Sequence, residues 1–342
     1  MPLTKNEDII LKKIRIRSDN DPNRPEFPPD NPRFPATPTR KIRVPGFTDV
    51  WLKDESVNPT GTHKDRMAWE IVVQYRKFLE AKKIGLVNGQ LPRFSIISSG
   101  NAAIALATAL KKYGLPKVKV LVDTHMPEQI LNFLKKSHCE VYQTNLSRKA
   151  LSAEEVLAMT NNDGGFDITS NEALDPNTIF YDWMSYEILN NEADYVFVPF
   201  GTGALYENIC NVMRREILRI SGHDPRLKAD VKKLRIMNIM GATVNLSTSK
   251  AYMLYSQHLP FVHYNEQWIR FYKKFGFVGN DSGVYVVSED SLEKAYKLAR
   301  SQGINCEHSG IAGLALLLEK KNVIPKDRKI VIVNTGKGKW YR

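Results

Sequence analysis

Cysteine is scarce in this chain. Cys139, Cys210 and Cys306 are odd in number, widely spaced and form no CxxC pair, which argues against a disulfide framework or a zinc site and leaves them as small core hydrophobes. Long apolar runs are missing too. "YVFVPF" and "IAGLALLL" fall far short of the roughly 20 residues that cross a bilayer, and residues 1 to 20 are too charged for a signal peptide. The cytoplasm is therefore the expected location, with no membrane partner. His258 and His263 lack metal-ligand spacing and read as polar surface. Basic residues are in excess, at a net charge of +12, but they are scattered over 40–43, 111–119, 228–235 and 337–342 without a nucleic-acid-binding pattern. Such a surface suits anionic metabolites, and no nucleic-acid partner is expected.

With 42% hydrophobic and 25% charged residues, 342 residues suffice for two modest globular domains. Eight prolines between Pro22 and Pro45 predict an extended arm, residues 1–45, without regular ladder pairing. Beyond the arm, β-branched runs alternate with helical patterns. The runs are "FSIIS" (94–98), "KVKVLV" (117–122), "EVYQT" (140–144), "YVFVPF" (195–200), "LRIMNIM" (234–240), "GVYVVS" (283–288) and "KIVIVN" (329–334). Segments such as "AIALATALKKYG" and "LYENICNVMRREILRI" between them have helical spacing. The pattern predicts an α/β chain with parallel sheets. The polar stretch 160–177 is the candidate connection between domains.

In open α/β sheets ligands bind beyond the carboxyl ends of the strands, so strand-end turns carry the functional signal. After "FSII" come Ser98, Ser99, Gly100 and Asn101, opening an alanine-rich helix; they suit a carboxylate or serve as an ordinary N-cap. After "YVFVPF", Gly201, Thr202, Gly203 and Ala204 form a turn into a helix, a cup for phosphate. Tyr206 stands where a dinucleotide fingerprint would place its third glycine, so a mononucleotide-sized phosphate fits better. After "KIVIVN", Thr335 would present a hydroxyl, with Gly336 and Gly338 keeping the backbone close.

"NPTGTHKDR", residues 58 to 66, sets a lysine in an unusual place. Thr62 and Asp65 have the form of a capping box, so Lys64 falls in the first helical turn, and Met67, Ile71, Tyr75 and Phe78 recur at the spacing of a buried face. The positive pole of the helix disfavours an ammonium there, a bias that an amine nucleophile needs to form a Schiff base.

Taken in order, "TPTRKI", "DVWLKDESVNPTGTHKDR", "SSGNAA", "VPFGTGAL", "EHSGIAG" and "VNTGKG" resemble the fold type II pyridoxal phosphate enzymes, the superfamily of threonine synthase, cysteine synthase, the amino-acid dehydratases and the tryptophan synthase beta chain. The resemblance covers about residues 35 to 340. It implies two open parallel-sheet domains: a large cofactor-binding one formed by 46–81 and 163–342, and a small mobile one, 82–162, with the cofactor in the cleft between them. It also implies a homodimer. Lys64 would carry pyridoxal 5'-phosphate as a Schiff base and move the substrate's α-proton. Asn101 would hydrogen-bond the ring hydroxyl, and Ser98, Ser99, Gly100 and Asn101 would grip the carboxylate of a small amino-acid substrate. Gly201, Thr202, Gly203 and Ala204 would hold the phosphate, and Thr335 would face the pyridine nitrogen. His63 either supports the phosphate or packs. "GTGA" is poorer in glycine than the family's usual loop, and His308 in "EHSG" replaces a usual proline, which leaves the role of Glu307 open. The implied chemistry is elimination or replacement at an amino-acid side chain by a lyase. A threonine synthase-like reaction is the first expectation; dehydratase, ammonia-lyase and cysteine synthase-like reactions follow. A non-catalytic cofactor-binding or metabolite-binding sensor is the expectation from another class.

Overall fold

A computed structural model of the chain describes residues 36–86, 88–98, 100–169, 180–223, 236–255 and 264–338. In chain order its elements are β1 (Thr39–Ile42), β2 (Asp49–Asp54), α1 (Lys64–Lys83), β3 (Phe94–Ile97), α2 (Asn101–Lys112), β4 (Val118–Asp123), α3 (Glu128–Lys136), β5 (Cys139–Thr144), α4 (Ala153–Met159), β6 (Phe166–Asp167), α5 (Asp182–Leu189), β7 (Tyr195–Pro199), α6 (Ala204–His223), β8 (Asn238–Thr243), α7 (Glu266–Lys274), β9 (Gly283–Val286), α8 (Glu289–Ser301), α9 (Ala312–Glu319) and β10 (Lys329–Asn334). Short 3-10 turns cover Glu55–Val57 and Tyr252–Leu254. By contacts the chain forms two compact units. One gathers the described residues of 36–57, 181–255 and 264–337; the other gathers those of 58–180 together with 338.

The first unit is built on a six-stranded sheet in the order β1-β2-β10-β7-β8-β9. All its neighbours are parallel except β1 and β2. β7 and β10 are buried along nearly their whole length, as the apolar runs "YVFVP" and "IVIV" require of strands covered on both faces. On one face Leu52, Phe197, Met240, Ala242, Ile330 and Ile332 join a core with Leu292 and Ala295 of α8 and Leu314 and Leu316 of α9. Gly313 lets α9 approach the sheet: a Cβ there would lie 2.7 Å from the Phe197 carbonyl oxygen. α6 covers β8 on the other face, where the Tyr206 hydroxyl donates to the Ile239 carbonyl at 3.1 Å.

Two expectations need correction here. The segment 39–45, assigned to an arm without pairing, includes β1, which runs antiparallel to β2 from Thr39↔Lys53 to Ile42↔Val50. "TRKI" contains no proline and lies at the sheet edge, where Pro38 and Pro45 flank it without interrupting a ladder. The rest of the arm, 1–35, lies outside the described residues. The strand read as 234–240 forms at Asn238–Thr243 instead, because its small residues Gly241 and Ala242 pair with β7 and β9; residues 234 and 235 lie outside the described residues.

The second unit has a four-stranded parallel sheet in the order β5-β4-β3-β6. α1 packs here, with Tyr75 edge-on to Phe94 at 5.2 Å and Trp69 edge-on to Tyr113 of the α2 end at 6.0 Å. Met67, Ile71 and Tyr75 are buried as their spacing predicts, but Phe78 is 45% exposed: the buried stripe ends one turn earlier than the helix periodicity alone predicts. Contacts therefore group α1 with the four-stranded sheet. Lys119 enters this core with its ammonium on the Thr160 carbonyl at 3.0 Å and on Asn161 O, and Ser95 meets Thr160 at 2.7 Å and Asn162 at 2.8 Å. These bonds anchor the start of the 160–177 connection. Its residues 170–177 lie outside the described residues.

Candidate functional site

Lys64 opens α1 at the end of a closed turn. Gly61 takes φ +80, the left-handed region that glycine enters without strain, and its N–H meets the Asn58 carbonyl at 2.8 Å. Asn58 Nδ2 donates to the Thr62 carbonyl at 3.1 Å. The N-cap position falls on His63, one residue after the expected Thr62, and His63 makes no side-chain cap. His63 precedes the helix in helical geometry, the Thr62 hydroxyl accepts from Lys64 N at 3.4 Å, and the Asp65 carboxylate reaches back to Thr60, taking its N–H and its hydroxyl at 2.8 Å each. The left-handed bend at Gly61 brings Thr60 opposite Asp65. The result is a ring of internal bonds from Asn58 to Asp65 that fixes the stem of a half-buried Lys64. His63 is half-buried, with Nδ1 at 3.5 Å from the Thr62 hydroxyl.

The turn after β3 belongs to the same unit. The Ser98 hydroxyl oxygen accepts from Gly100 N and from Ala103 N, each at 3.1 Å, so Ser98 caps α2. A hydroxyl that accepts twice keeps its own hydrogen for donation. Gly100 sits at φ 152 and ψ −81, and Asn101, half-buried, is the first residue of α2. Ser99 lies outside the described residues.

The other predicted residues lie in the six-stranded unit, beyond two neighbouring parallel strands whose ends leave the same edge of the sheet. After β7, Phe200 N–H binds the Ala242 carbonyl at 2.7 Å, and the chain turns through Gly201, the exposed Thr202 and Gly203 at φ +89 into Ala204 and α6. A Cβ on Gly201 would lie 3.3 Å from the Met253 carbonyl oxygen, so glycine keeps this turn close to the Tyr252–Leu254 turn. The first N–H groups of the 20-residue α6 point into the turn and carry the positive pole of the helix.

After β10, Thr335 is buried and its N–H binds the Gly310 carbonyl at 3.0 Å. The residue before it was not singled out from sequence. Asn334 is fully buried and its Nδ2 donates to Asp54 Oδ1 at 2.9 Å and to the Asn305 carbonyl at 2.8 Å. Asp54 Oδ1 also accepts from Ser56 N at 3.1 Å and Ser56 Oγ at 2.6 Å. Glu307 N–H binds the Gly336 carbonyl at 3.1 Å, and a Cβ on Gly310 would collide with that carbonyl. Thr335 therefore stands on a clamp tying β2, β10 and the 305–310 loop. The only local hint of it is the Asp-x-Ser spacing of Asp54 and Ser56.

His308 faces α8, with its ring stacked on Tyr296 at 4.3 Å and its Nε2 at 3.3 Å from Glu293. Hydrogen bonds from Lys250, His308 and Lys297 hold the Glu293 carboxyl down to about 2. Trp268 stacks on the buried Tyr272 at 4.0 Å, as a packing pair. His258, His263, Trp340 and Tyr341 lie outside the described residues. Among the described residues no group of three or more His, Cys, Asp or Glu could hold a metal ion, and no helix is long and apolar enough to cross a membrane.

The donor set in the six-stranded unit fits pyridoxal phosphate. A glycine turn held against Met253 leads into a long helix N-terminus, which suits a dianionic phosphate. The neighbouring strand ends in a neutral hydroxyl, and no carboxylate side chain follows it from Thr335 to Gly338.

A family model described as pyridoxal-phosphate dependent enzyme matches residues 33–336. Among curated proteins, a probable cysteine synthase of Bacillus subtilis is 31% identical over 113 residues, 32% of this chain and 33% of that protein. O-ureido-L-serine synthase of Streptomyces lavendulae is 38% identical over 88 residues, 25% of this chain and 24% of that protein. The chain thus matches about a third or less of the length of these relatives. The crystal structure of a cysteine synthase from Entamoeba histolytica aligns over 94% of this chain and 91% of that one, with TM-score 0.64 and 20% identity, a likeness of fold alone. None of these three is a threonine synthase, so the preference for a threonine synthase-like reaction draws no support from them. The match over nearly the whole chain, on a fold of two parallel-sheet units with the cradle just described, makes this chain a member of the pyridoxal-phosphate dependent enzyme family, with pyridoxal phosphate as its cofactor.

Proposed function

We propose that the protein catalyses β-replacement on a serine derivative carrying a good leaving group on its side-chain oxygen. The observation that carries this reading is the neutral Thr335 hydroxyl at the end of β10, held by the Asn334–Asp54 clamp. Bound pyridoxal phosphate supplies an electron sink for the carbanion at the amino acid's Cα. Were Thr335 to face the ring nitrogen, its neutral hydroxyl would leave that sink milder than a carboxylate would, which suits loss of a β-leaving group. The chain's own residues do the rest. Lys64 would hold the cofactor aldehyde and, once the substrate's amino group has displaced it, its free amine would take the α-proton and return it after the nucleophile has added at Cβ. Ser98, Ser99, Gly100 and Asn101 grip the substrate carboxylate, and Asn101 also meets the ring hydroxyl. Gly201, Thr202, Gly203 and Ala204 hold the phosphate, with His63 as a further candidate. The names of the relatives, synthases of cysteine and of O-ureido-L-serine, favour a three-carbon substrate. A homodimer working in the cytoplasm, and movement of the part from 82 to 162 that keeps the carbanion dry, complete the proposal.

"NPTGTHKDR" and "NTGKG" keep a threonine synthase-like reaction as the second reading. Titration of the coloured enzyme with O-acetylserine, and separately with O-phosphorylated homoserine, decides between them. The proposal expects the visible spectrum to shift with O-acetylserine and a substituted alanine to form when a sulfur nucleophile is added. Turnover of the four-carbon phosphate ester alone would contradict it in favour of the second reading. A spectrum that no amino acid shifts would favour a cofactor-binding sensor without turnover.

A further inference from the structure

The two faces of β8 serve different neighbours. Met240 and Ala242 belong to the core built with α8 and α9. Gly241 faces the other way, where an added Cβ would meet Tyr206 of the first turn of α6 at 3.2 Å and Phe200 at 3.3 Å. Strand alternation puts Thr243 on this same α6 side, two residues nearer the carboxyl edge. The Phe200 N–H bond to the Ala242 carbonyl brings the chain entering the Gly201–Gly203 turn alongside it.

Thr243 is 8% exposed, and its Oγ1 is buried with no hydrogen-bond partner. Buried hydroxyls are nearly always satisfied, because leaving one unpaired forfeits its bonds to water. This one lies on the side of the sheet where α6 presents its positive end, and valine would fill the same space without the penalty. We infer that the Thr243 hydroxyl donates to the phosphate group held at the Gly201–Ala204 turn, making β8 a third contributor to the cradle beside the turn and the helix. The inference rests on the proposed assignment of that turn to the cofactor phosphate.

The test compares wild type, Thr243→Val and Thr243→Ser, titrating cofactor-stripped protein with pyridoxal phosphate and with pyridoxal, which lacks the phosphate. Loss of one hydrogen bond to a charged group should weaken pyridoxal phosphate binding by about tenfold or more in Thr243→Val, with Thr243→Ser within about twofold of wild type. Pyridoxal affinity should be unchanged, and the phosphorus NMR resonance of the bound cofactor should move. Without cofactor, Thr243→Val should melt at the wild-type temperature or above, because its methyl group replaces an unpaired hydroxyl. Equal affinity of Thr243→Val and wild type for pyridoxal phosphate would overturn the inference. So would an equal loss of affinity for pyridoxal, or a cofactor-free Thr243→Val that is less stable than wild type. Gly203→Val separates the two levels: if it weakens pyridoxal phosphate binding while Thr243→Val does not, only the role of Thr243 fails. If neither weakens binding, the assignment of the turn fails with it.

Discussion

At the scale of single residues, the side chain that determines where the Thr335 hydroxyl stands is its buried neighbour. Asn334 reaches Asp54 and the Asn305 carbonyl with one amide group, so Asn334→Ala should leave a buried Asp54 oxygen and a part-buried carbonyl short of a donor. The expected cost is about 1–3 kcal/mol, read from urea denaturation, together with weaker cofactor binding. Wild-type stability in Asn334→Ala would show that the clamp is not structural. The placement of Lys64 at a helix start, of the Gly201–Ala204 turn between strand and helix and of Thr335 after the last strand was legible in the sequence, because each depends on a few adjacent residues at a strand or helix end. Asn334, Asp54 and Thr243 were not. Their roles arise from strands that meet across long stretches of chain, β2 with β10 and β7 with β8. Asp65 shows the limit within a local motif: its residue type and spacing suggest a capping box, but the left-handed Gly61 redirects it to Thr60.

At the scale of elements, helical periodicity located α1, α2 and α6, whereas β1 was hidden by the prolines that flank it. Ion pairs hold some of these elements in place. Lys53 at the end of β2 is 1% exposed and pairs with Glu187 of α5 while donating to the Thr37 carbonyl at 2.6 Å. Replacing it as Lys53→Met buries the Glu187 carboxylate without that ammonium, and unfolding should become easier by about 3–5 kcal/mol. Adding Glu187→Gln should recover part of the loss, and failure of the second change to restore anything would contradict an electrostatic origin. α8 offers a test by pH. Glu293 is held at about 2, below its ordinary 4.5, chiefly by a hydrogen bond from Lys250 and then by His308 and Lys297. A carboxyl with a depressed folded value stabilises the fold above its unfolded value, and that stabilisation is lost as the pH falls through the folded one. Glu293→Gln should therefore melt below wild type at neutral pH, with the gap closing as the pH falls from 4.5 towards 2. A gap that stays constant across that range would rule out this linkage.

At the scale of the whole molecule, the α/β class and the parallel sheets were legible because buried parallel strands leave unmistakable β-branched runs between helical patterns. The order of strands in each sheet was not, since sequence spacing does not say that β10, the last strand, inserts between β2 and β7. That insertion puts the Thr335 turn next to the Gly201 turn. Lys64 lies in the other compact unit, so its role as the attachment point is the claim on which the proposed function depends. Borohydride reduction of the protein loaded with pyridoxal phosphate, followed by peptide mapping, tests that claim most directly. The account predicts a single cofactor adduct on Lys64 and none after Lys64→Ala. An adduct on a different lysine, or wild-type protein that takes up no cofactor, would contradict it.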